Sequence, residues 1–479
     1  MNISDPILFH CRHTPNAMAV CAPGFDLITY ADLQEKINNV VRSARAAGLS
    51  PGQTVAVFPP QAYLFNVVLM LGLARLGVIT VSVGDGQQLP KSLRFDAIVS
   101  DGSHPYRDIK TIPFSMSWVM GHGEPVEIDH IPRDDDVCRI VLTSGSTGEP
   151  KPVALTHRMV LGRAQRYQML CGNKLSSCSR LFCNVSLGTS FAYTMCILML
   201  CKGGAIYLHG RNPKQTFDGL SFYGIDSLIT APGELPSLLA HYEAEQCRHT
   251  FAAILTSGSL LSNRLAERVS SRIASNVISS YGATETSLVA SAPANAIGDI
   301  EGAVGYVVPG MEVEIVDELN RQMAPGEIGT VRIRGEYMAN GYVNDTEASA
   351  QIFRDGWFYP GDQGSVTAEG MLIIAGRQTN VLNVGGRKFA AEKIEDVLAA
   401  FDAGVLAAAV VVEADSGVDQ LWVAIESARP VDEGRLSEHC QKLLAPWMSP
   451  IRFVRVDRLP RTQAGKLDRG ELRRMLQPN

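Results

Sequence analysis

At 479 residues the chain is longer than a single hydrophobic core usually serves, so two or more domains are expected. A formal net charge of −6 supplies no basic stripe for nucleic acid, and ten cysteines without a Cys-x-x-Cys pair argue against a structural zinc site. The first residues lack a basic leader followed by an apolar core and cleavage site, so a cytoplasmic protein is expected.

In chain order, Thr29-Tyr30-Ala31-Asp32 opens a helix with Leu33, Ile37, Val40, Val41 and Ala44 on one face. A strand pattern follows at Thr54 to Phe58. The apolar run from Tyr63 to Val83 is broken by Asn66, Gly72, Arg75 and Gly77 before it reaches membrane-spanning length, and reads as a buried helix followed by a strand at Val78 to Val83. No membrane span is expected. Val137 to Leu142 reads as a buried strand, and Thr156 as the cap of a helix through Val160 and Ala164. A second α/β portion starts near Leu181, with Leu265, Val269 and Ile273 at helical spacing. From Gly302 short strands punctuated by Gly and Pro predict a small β-rich subdomain, and Glu327 to Arg334 contains one of them. Beyond Gly376, a helix at Ala391 to Ala400 and strands at Val405 to Val412 and Leu421 to Ser427 predict a separate C-terminal domain. The fold class is α/β: a large N-terminal domain of layered α/β subdomains plus the β-rich subdomain, then a small α+β domain.

The chemistry concentrates in Thr143, Ser144, Gly145, Ser146, Thr147, Gly148 and Lys151. Glycines at 145 and 148 let backbone N–H groups converge on an anion, the hydroxyls add donors and Lys151 adds charge. The plain alternative is a Ser/Gly turn. A Walker nucleotide loop is excluded, because Gly148 is followed by Glu149-Pro150-Lys151 and not by Lys-Ser or Lys-Thr. Four further segments follow in order: Ser280 to Thr286 (Ser-Tyr-Gly-Ala-Thr-Glu-Thr), Tyr359 to Asp362 (Tyr-Pro-Gly-Asp), Gly376-Arg377 with Asn383 to Lys388 (Asn-Val-Gly-Gly-Arg-Lys), and Leu459 to Arg469 around Gly465-Lys466. With the loop they resemble, over nearly the whole chain, the motifs of the acyl-adenylate-forming superfamily, which includes acyl-CoA synthetases, stand-alone adenylation enzymes and luciferases.

The resemblance implies a reaction in two halves. A carboxylate attacks the α-phosphorus of ATP to give acyl-AMP and pyrophosphate, and a thiol then displaces AMP to give a thioester. It implies ATP, Mg2+ and either coenzyme A or the phosphopantetheine of an acyl carrier protein. Residues 1–376 would be the adenylation core, 377–380 the hinge, and 381–479 a mobile C-terminal domain carrying Lys466. Lys466 would neutralise carboxylate and α-phosphate together. Glu285 would hold magnesium, a hard cation suited to carboxylate oxygen, and Thr284 would donate to a phosphate. Tyr281 and Gly282 would face adenine, with the Ser257-Gly258-Ser259 turn along its plane. Asp362 would accept from ribose hydroxyls, and Arg377 would reach ribose or phosphate. Gly385, Gly386, Arg387 and Lys388 would line the thiol tunnel. The pivot, usually Asp or Lys, is here Thr379, followed by Asn380.

Val185, Leu187, Thr189, Phe191, Tyr193 and Ser279 would form the acid pocket. Amino-acid-activating members place an aspartate in this segment, and no Asp or Glu occurs between Leu181 and Leu200. A small uncharged aliphatic or aryl acid is therefore expected over an amino acid. Gly224-Ile-Asp-Ser227-Leu228 looks like a phosphopantetheine attachment motif, but it runs into an apolar strand pattern mid-domain, so the thiol is expected from outside the chain. Three functions are open at this point: a CoA ligase, a stand-alone enzyme loading a carrier protein, and a non-catalytic ligand-binding member.

Overall fold

In the computed structural model the described residues are all but 25–26, 59–62, 84–87, 103, 122–131, 144–149, 171–176, 211, 299, 301, 378–380, 385–386, 402–404, 414–418, 428, 444–450, 463–464 and 477–479. The helix Tyr30–Ala46 begins in a capping box: the Thr29 hydroxyl accepts from the Asp32 N–H at 3.2 Å, and the Asp32 carboxylate accepts from the Thr29 N–H at 2.9 Å. Its apolar face, Leu33, Ile37, Val40, Val41 and Ala44, is fully buried. It packs on the helix Tyr63–Leu76, which is apolar nearly all round and belongs to the same core. No helix among the described residues is long and apolar enough to cross a membrane.

Two large sheets carry the N-terminal part. The first, six strands among the described residues, runs in the order Thr111–Pro113, Ala97–Ser100, Thr54–Val57, Ile79–Ser82, Val137–Thr143, Lys151–Thr156. Its strands are parallel except the last pair, which is antiparallel and places Thr143 opposite Lys151. Residues 144–149 therefore stand between two paired strands, where the sequence leads one to expect a helix next. Lys151–Thr156 is an edge strand, which is why Pro152 is tolerated in it. The expected helix follows as His157–Leu170, capped by the Thr156 hydroxyl, which accepts from the Met159 N–H at 3.1 Å.

The second sheet has a parallel half made of Met18–Cys21, Ala205–Tyr207, Arg180–Cys183, Ser227–Thr230, Ala253–Thr256 and Val277–Ala283. It continues into the antiparallel strands Ser287–Pro293, Ala303–Val307, Met371–Arg377, Asp362–Val366 and Gly329–Gly335, the last two belonging to the β-rich portion. Ser227 is buried in the middle of this sheet and its hydroxyl donates to the Arg180 carbonyl at 3.3 Å, which rules out cofactor attachment there.

The C-terminal part is a small α+β unit. Val405–Glu413, Asp419–Ser427 and Ile451–Val456 form its sheet, with the helix Glu392–Phe401 packed on one side and Arg469–Leu476 on the other. A two-stranded hairpin, Val381–Val384 with Arg387–Ala390, precedes it.

Candidate active site

Parallel strands of an open sheet direct their loops to one edge, where ligands usually bind. At the carboxyl ends of the adjacent strands Arg180–Cys183, Ser227–Thr230, Ala253–Thr256 and Val277–Ala283 lie Asn184, the turn Ala231-Pro232-Gly233, Ser257 and Tyr281. The Asn184 amide donates to the Thr230 hydroxyl at 3.1 Å and ties the first two ends together. Ser257 and Gly258 are half-buried, Ser259 is exposed, and Gly258 has φ +103°, a backbone setting that suits glycine. Ser279 is buried within its strand, and its carbonyl accepts from the Ser291 hydroxyl at 3.0 Å.

Tyr281 and Asp362, 81 residues apart, are in contact: the phenol donates to the carboxylate. This unites the expected adenine and ribose segments. A Cβ at Gly282 would overlap the Ser287 carbonyl, so glycine is required where the hairpin carrying these residues bulges. Glu285 is almost fully buried, and its carboxylate accepts from the Tyr342 phenol at 2.9 Å. Burial raises the Tyr342 pKa. The next residue, Val343, donates from its N–H to the Pro152 carbonyl at 2.9 Å, so this segment links the strand Lys151–Thr156 to Glu285.

Two further residues organise this region, and neither stands out in the sequence. Arg163, fully buried, donates from Nη1 to the Thr284 carbonyl at 3.0 Å and the Ser190 hydroxyl at 3.3 Å, from Nη2 to the Glu285 carbonyl at 3.0 Å, and from Nε to the Tyr337 carbonyl at 2.9 Å. Burial pulls its pKa down to about 10. Asp345 accepts from the Lys151 ammonium at 2.9 Å. A signal for Arg163 exists only as an Arg on the buried face of a helix, where an unpaired cation is costly unless it holds something.

The expected acid-pocket residues divide. Val185 and Phe191 are half-buried against the main core, and the Phe191 ring meets Tyr167 at 5.9 Å. The Thr189 hydroxyl is engaged as the N-cap of the helix Ser190–Cys201, accepting from the Ala192 N–H at 3.2 Å. Leu187 and Tyr193 are buried, 2% and 1% exposed. The Tyr193 ring lies 4.3 Å from the guanidinium of Arg139, itself fully buried, which donates to the Leu187 carbonyl at 2.8 Å and the Ser82 hydroxyl at 2.9 Å. Arg139 thus lies against the Tyr193 ring and the Leu187 backbone.

Lys466 is half-buried in a tight turn closed by bonds from the Thr462 N–H to its carbonyl at 2.7 Å and from the Gly465 N–H to the Thr462 carbonyl at 2.8 Å. Gly465 has φ +72°, and a Cβ there would come within 2.7 Å of the Ala231 Cβ. The Arg461 guanidinium lies directly against Gly233. The turn bearing Lys466 is therefore seated on Ala231–Gly233, at the edge where the other motifs end. Behind it, Arg469 grips Glu395 with two bonds, at 2.6 and 3.0 Å, and fixes the helix that follows.

Ser144, Gly145, Ser146, Thr147, Gly148, Thr379, Asn380, Gly385 and Gly386 lie outside the described residues, as do the side chains of Arg377, Arg387 and Lys388. Among the described residues no group of three or more His, Cys, Asp or Glu side chains could hold a metal by itself.

The profile of the AMP-binding enzyme family matches residues 9–343, and that of the AMP-binding enzyme C-terminal domain matches 393–466. The chain is 26% identical to the indoleacetate–CoA ligase of Aromatoleum aromaticum, with 99% of this chain and 98% of that one covered. It is also 26% identical to a feruloyl-CoA synthase of an Amycolatopsis species, over 97% and 96%. The o-succinylbenzoate CoA synthetase of Bacillus subtilis, solved with an acyl-adenylate intermediate, shares the fold at TM-score 0.81 and 21% identity, over 99% and 98%. With two family profiles in sequence over most of its length and the motifs gathered at one sheet edge, the chain belongs to the AMP-binding enzymes of the acyl-adenylate-forming superfamily.

Proposed function

We propose that this enzyme joins a small uncharged carboxylic acid, aliphatic or aryl, to AMP and then passes the acyl group to coenzyme A. In the first half a carboxylate oxygen forms a bond to the α-phosphorus as the bond to the β-phosphate oxygen breaks and pyrophosphate leaves. In the second a thiolate forms the C–S bond as the acyl C–O bond to AMP breaks. The observation that carries the reading is the seating of the Lys466 turn on Ala231–Gly233, at the edge shared by Tyr281, Asp362 and Glu285.

Each residue has a task set by charge. Lys466 meets the carboxylate and the α-phosphate, two anions that otherwise repel. Lys151, with the hydroxyls of the 143–147 segment, receives the outer phosphates. Asp362 accepts from ribose hydroxyls, and Tyr281, fixed by its bond to Asp362, packs against adenine. Thr284 donates to phosphate, its backbone held by Arg163. A magnesium ion, when bound, shields triphosphate charge. Glu285 suits it: a hard oxygen donor oriented by Tyr342, with no group of three His, Cys, Asp or Glu ligands among the described residues, so phosphate and water would supply the rest of the shell.

The acid preference has support beyond the absence of an acidic residue. Arg139 lies against the Leu187 carbonyl and the Tyr193 ring, so an α-ammonium entering that segment would face a buried cation, with no acidic residue between Leu181 and Leu200 to balance it. The indoleacetate and feruloyl ligases are named for aryl acids. With Ser227 buried, the thiol comes from outside the chain, and the absence of disulfides among the nine described cysteines fits a reducing, cytoplasmic setting. A panel of carboxylic acids assayed for ATP-dependent pyrophosphate release, then for thioester with coenzyme A or a carrier protein, tests the reading. A neutral acid is expected to exceed its α-amino analogue. An amino acid as best substrate would overturn the pocket assignment, and thioester only on a carrier protein would overturn the choice of acceptor.

A further inference from the structure

Lys151 does not wait for phosphate unaccompanied. It lies opposite Thr143 in the antiparallel pair of strands, and its ammonium is bound to the Asp345 carboxylate at 2.9 Å across 194 residues of sequence. Both side chains are mostly shielded, 19% and 23% exposed, so solvent screens the pair less than it would a surface pair. Lys151 holds the Asp345 carboxyl below the usual carboxylate range.

The two partners differ in freedom. Asp345 is the N-cap of the helix Thr346–Ile352: its Oδ1 accepts from the Ala348 N–H at 3.0 Å while Oδ2 takes the lysine. The segment leading to it is pinned at several points, with Ala339 N–H donating to the Glu285 carbonyl at 2.8 Å and Val343 N–H to the Pro152 carbonyl at 2.9 Å. The Tyr342 N–H donates to the Ser349 hydroxyl at 2.8 Å. The carboxylate is fixed, whereas the lysine has a flexible four-carbon stem. When an anion arrives, the ammonium is the partner that moves.

We propose that Asp345 is the resident counter-ion of Lys151, displaced by the triphosphate as ATP binds and recapturing the ammonium as pyrophosphate leaves. This rests on the reading that Lys151 receives the outer phosphates. The fixed carboxylate then repels each ligand in proportion to its charge. Pyrophosphate is expelled most strongly and acyl-adenylate, with one phosphate charge, least. The pair thereby favours the forward direction of the first half-reaction, at the cost of weaker ATP binding.

Asp345→Asn isolates the charge, because asparagine caps a helix as well as aspartate does. In the full-length enzyme at low salt, the variant should bind ATP and be inhibited by pyrophosphate at roughly fivefold lower concentrations, with half-saturation by acyl-adenylate in the thiol step little changed. The difference should shrink as salt is raised. Asp345→Ser, also a capping residue, replaces the Asn variant if that fails to fold. Unchanged or weakened pyrophosphate inhibition in a variant that melts like the wild type overturns the proposal, since a purely structural Asp345 would only loosen the site. Lys151→Ala separates the two layers. If it leaves ATP and pyrophosphate affinity untouched, the underlying reading fails. If it weakens both while Asp345→Asn tightens neither, only the counter-ion proposal fails.

Discussion

Replacing Arg163 with methionine keeps the stem and removes every hydrogen bond of the head group. The guanidinium donates to three backbone carbonyls and one hydroxyl from a fully buried position. Without it the Glu285 carbonyl retains the Ala339 N–H at 2.8 Å, but the Thr284 and Tyr337 carbonyls and the Ser190 hydroxyl lose this donor. Orphaned buried acceptors cost roughly 1–3 kcal/mol each, and removing a desolvated charge offsets part of that, leaving a net loss of about 2–4 kcal/mol. The loss is measured as the shift in denaturant midpoint at constant slope. The functional effect should exceed the folding effect, because Thr284 and Glu285 lose the clamp on their backbone: pyrophosphate release at saturating ATP in the folded variant should fall by about tenfold or more, with Arg163→Lys intermediate. A methionine variant within about 0.5 kcal/mol of wild type and with normal adenylation would refute the claim that Arg163 holds this motif in place.

Lys466→Ala should slow acyl-adenylate formation by at least roughly 100-fold while largely sparing thioester formation from supplied acyl-adenylate, and near-normal pyrophosphate release would remove Lys466 from the mechanism. Thr379→Pro, at the expected pivot, fixes φ and restricts the preceding residue, so thioester formation should fall far more than adenylation; equal loss in both single-turnover halves would place the pivot elsewhere. His157 is buried, accepts from the Ile3 N–H at 3.2 Å, and has its pKa lowered by burial from 6.5 to about 4. The unfolded chain therefore binds the proton more readily, and stability should drop as pH falls from about 6.5 towards 4, by up to roughly 1.4 kcal/mol per pH unit. His157→Gln should flatten that limb of the stability profile, and identical wild-type and variant losses between pH 7 and 5 would contradict the account.

The features legible in the linear chain are those whose cause is local. The capping box of Thr29 and Asp32 spans four residues, and the strand Val137–Thr143 shows in its own apolar run. The segments around Tyr281, Asp362 and Lys466 are recognisable because each packs its glycine, hydroxyl or charge within a few positions. The strand Lys151–Thr156 was hidden because six residues with a proline at the second position are a poor strand by themselves; they become one by pairing with Val137–Thr143. Arg163, Asp345 and Tyr342 read locally as ordinary polar side chains of helix and loop. Their partners stand 194 residues away for Asp345, 57 for Tyr342 and up to 174 for Arg163, and no local pattern encodes such pairings. Leu187 and Tyr193 are expected to line the pocket from their chemistry; what no local pattern foretells is that the Leu187 carbonyl and the Tyr193 ring both meet the buried Arg139. A side chain's type states which interactions it can make; burial and long-range strand order decide which it does make, since only the folded chain brings donor, acceptor and charge to the same place.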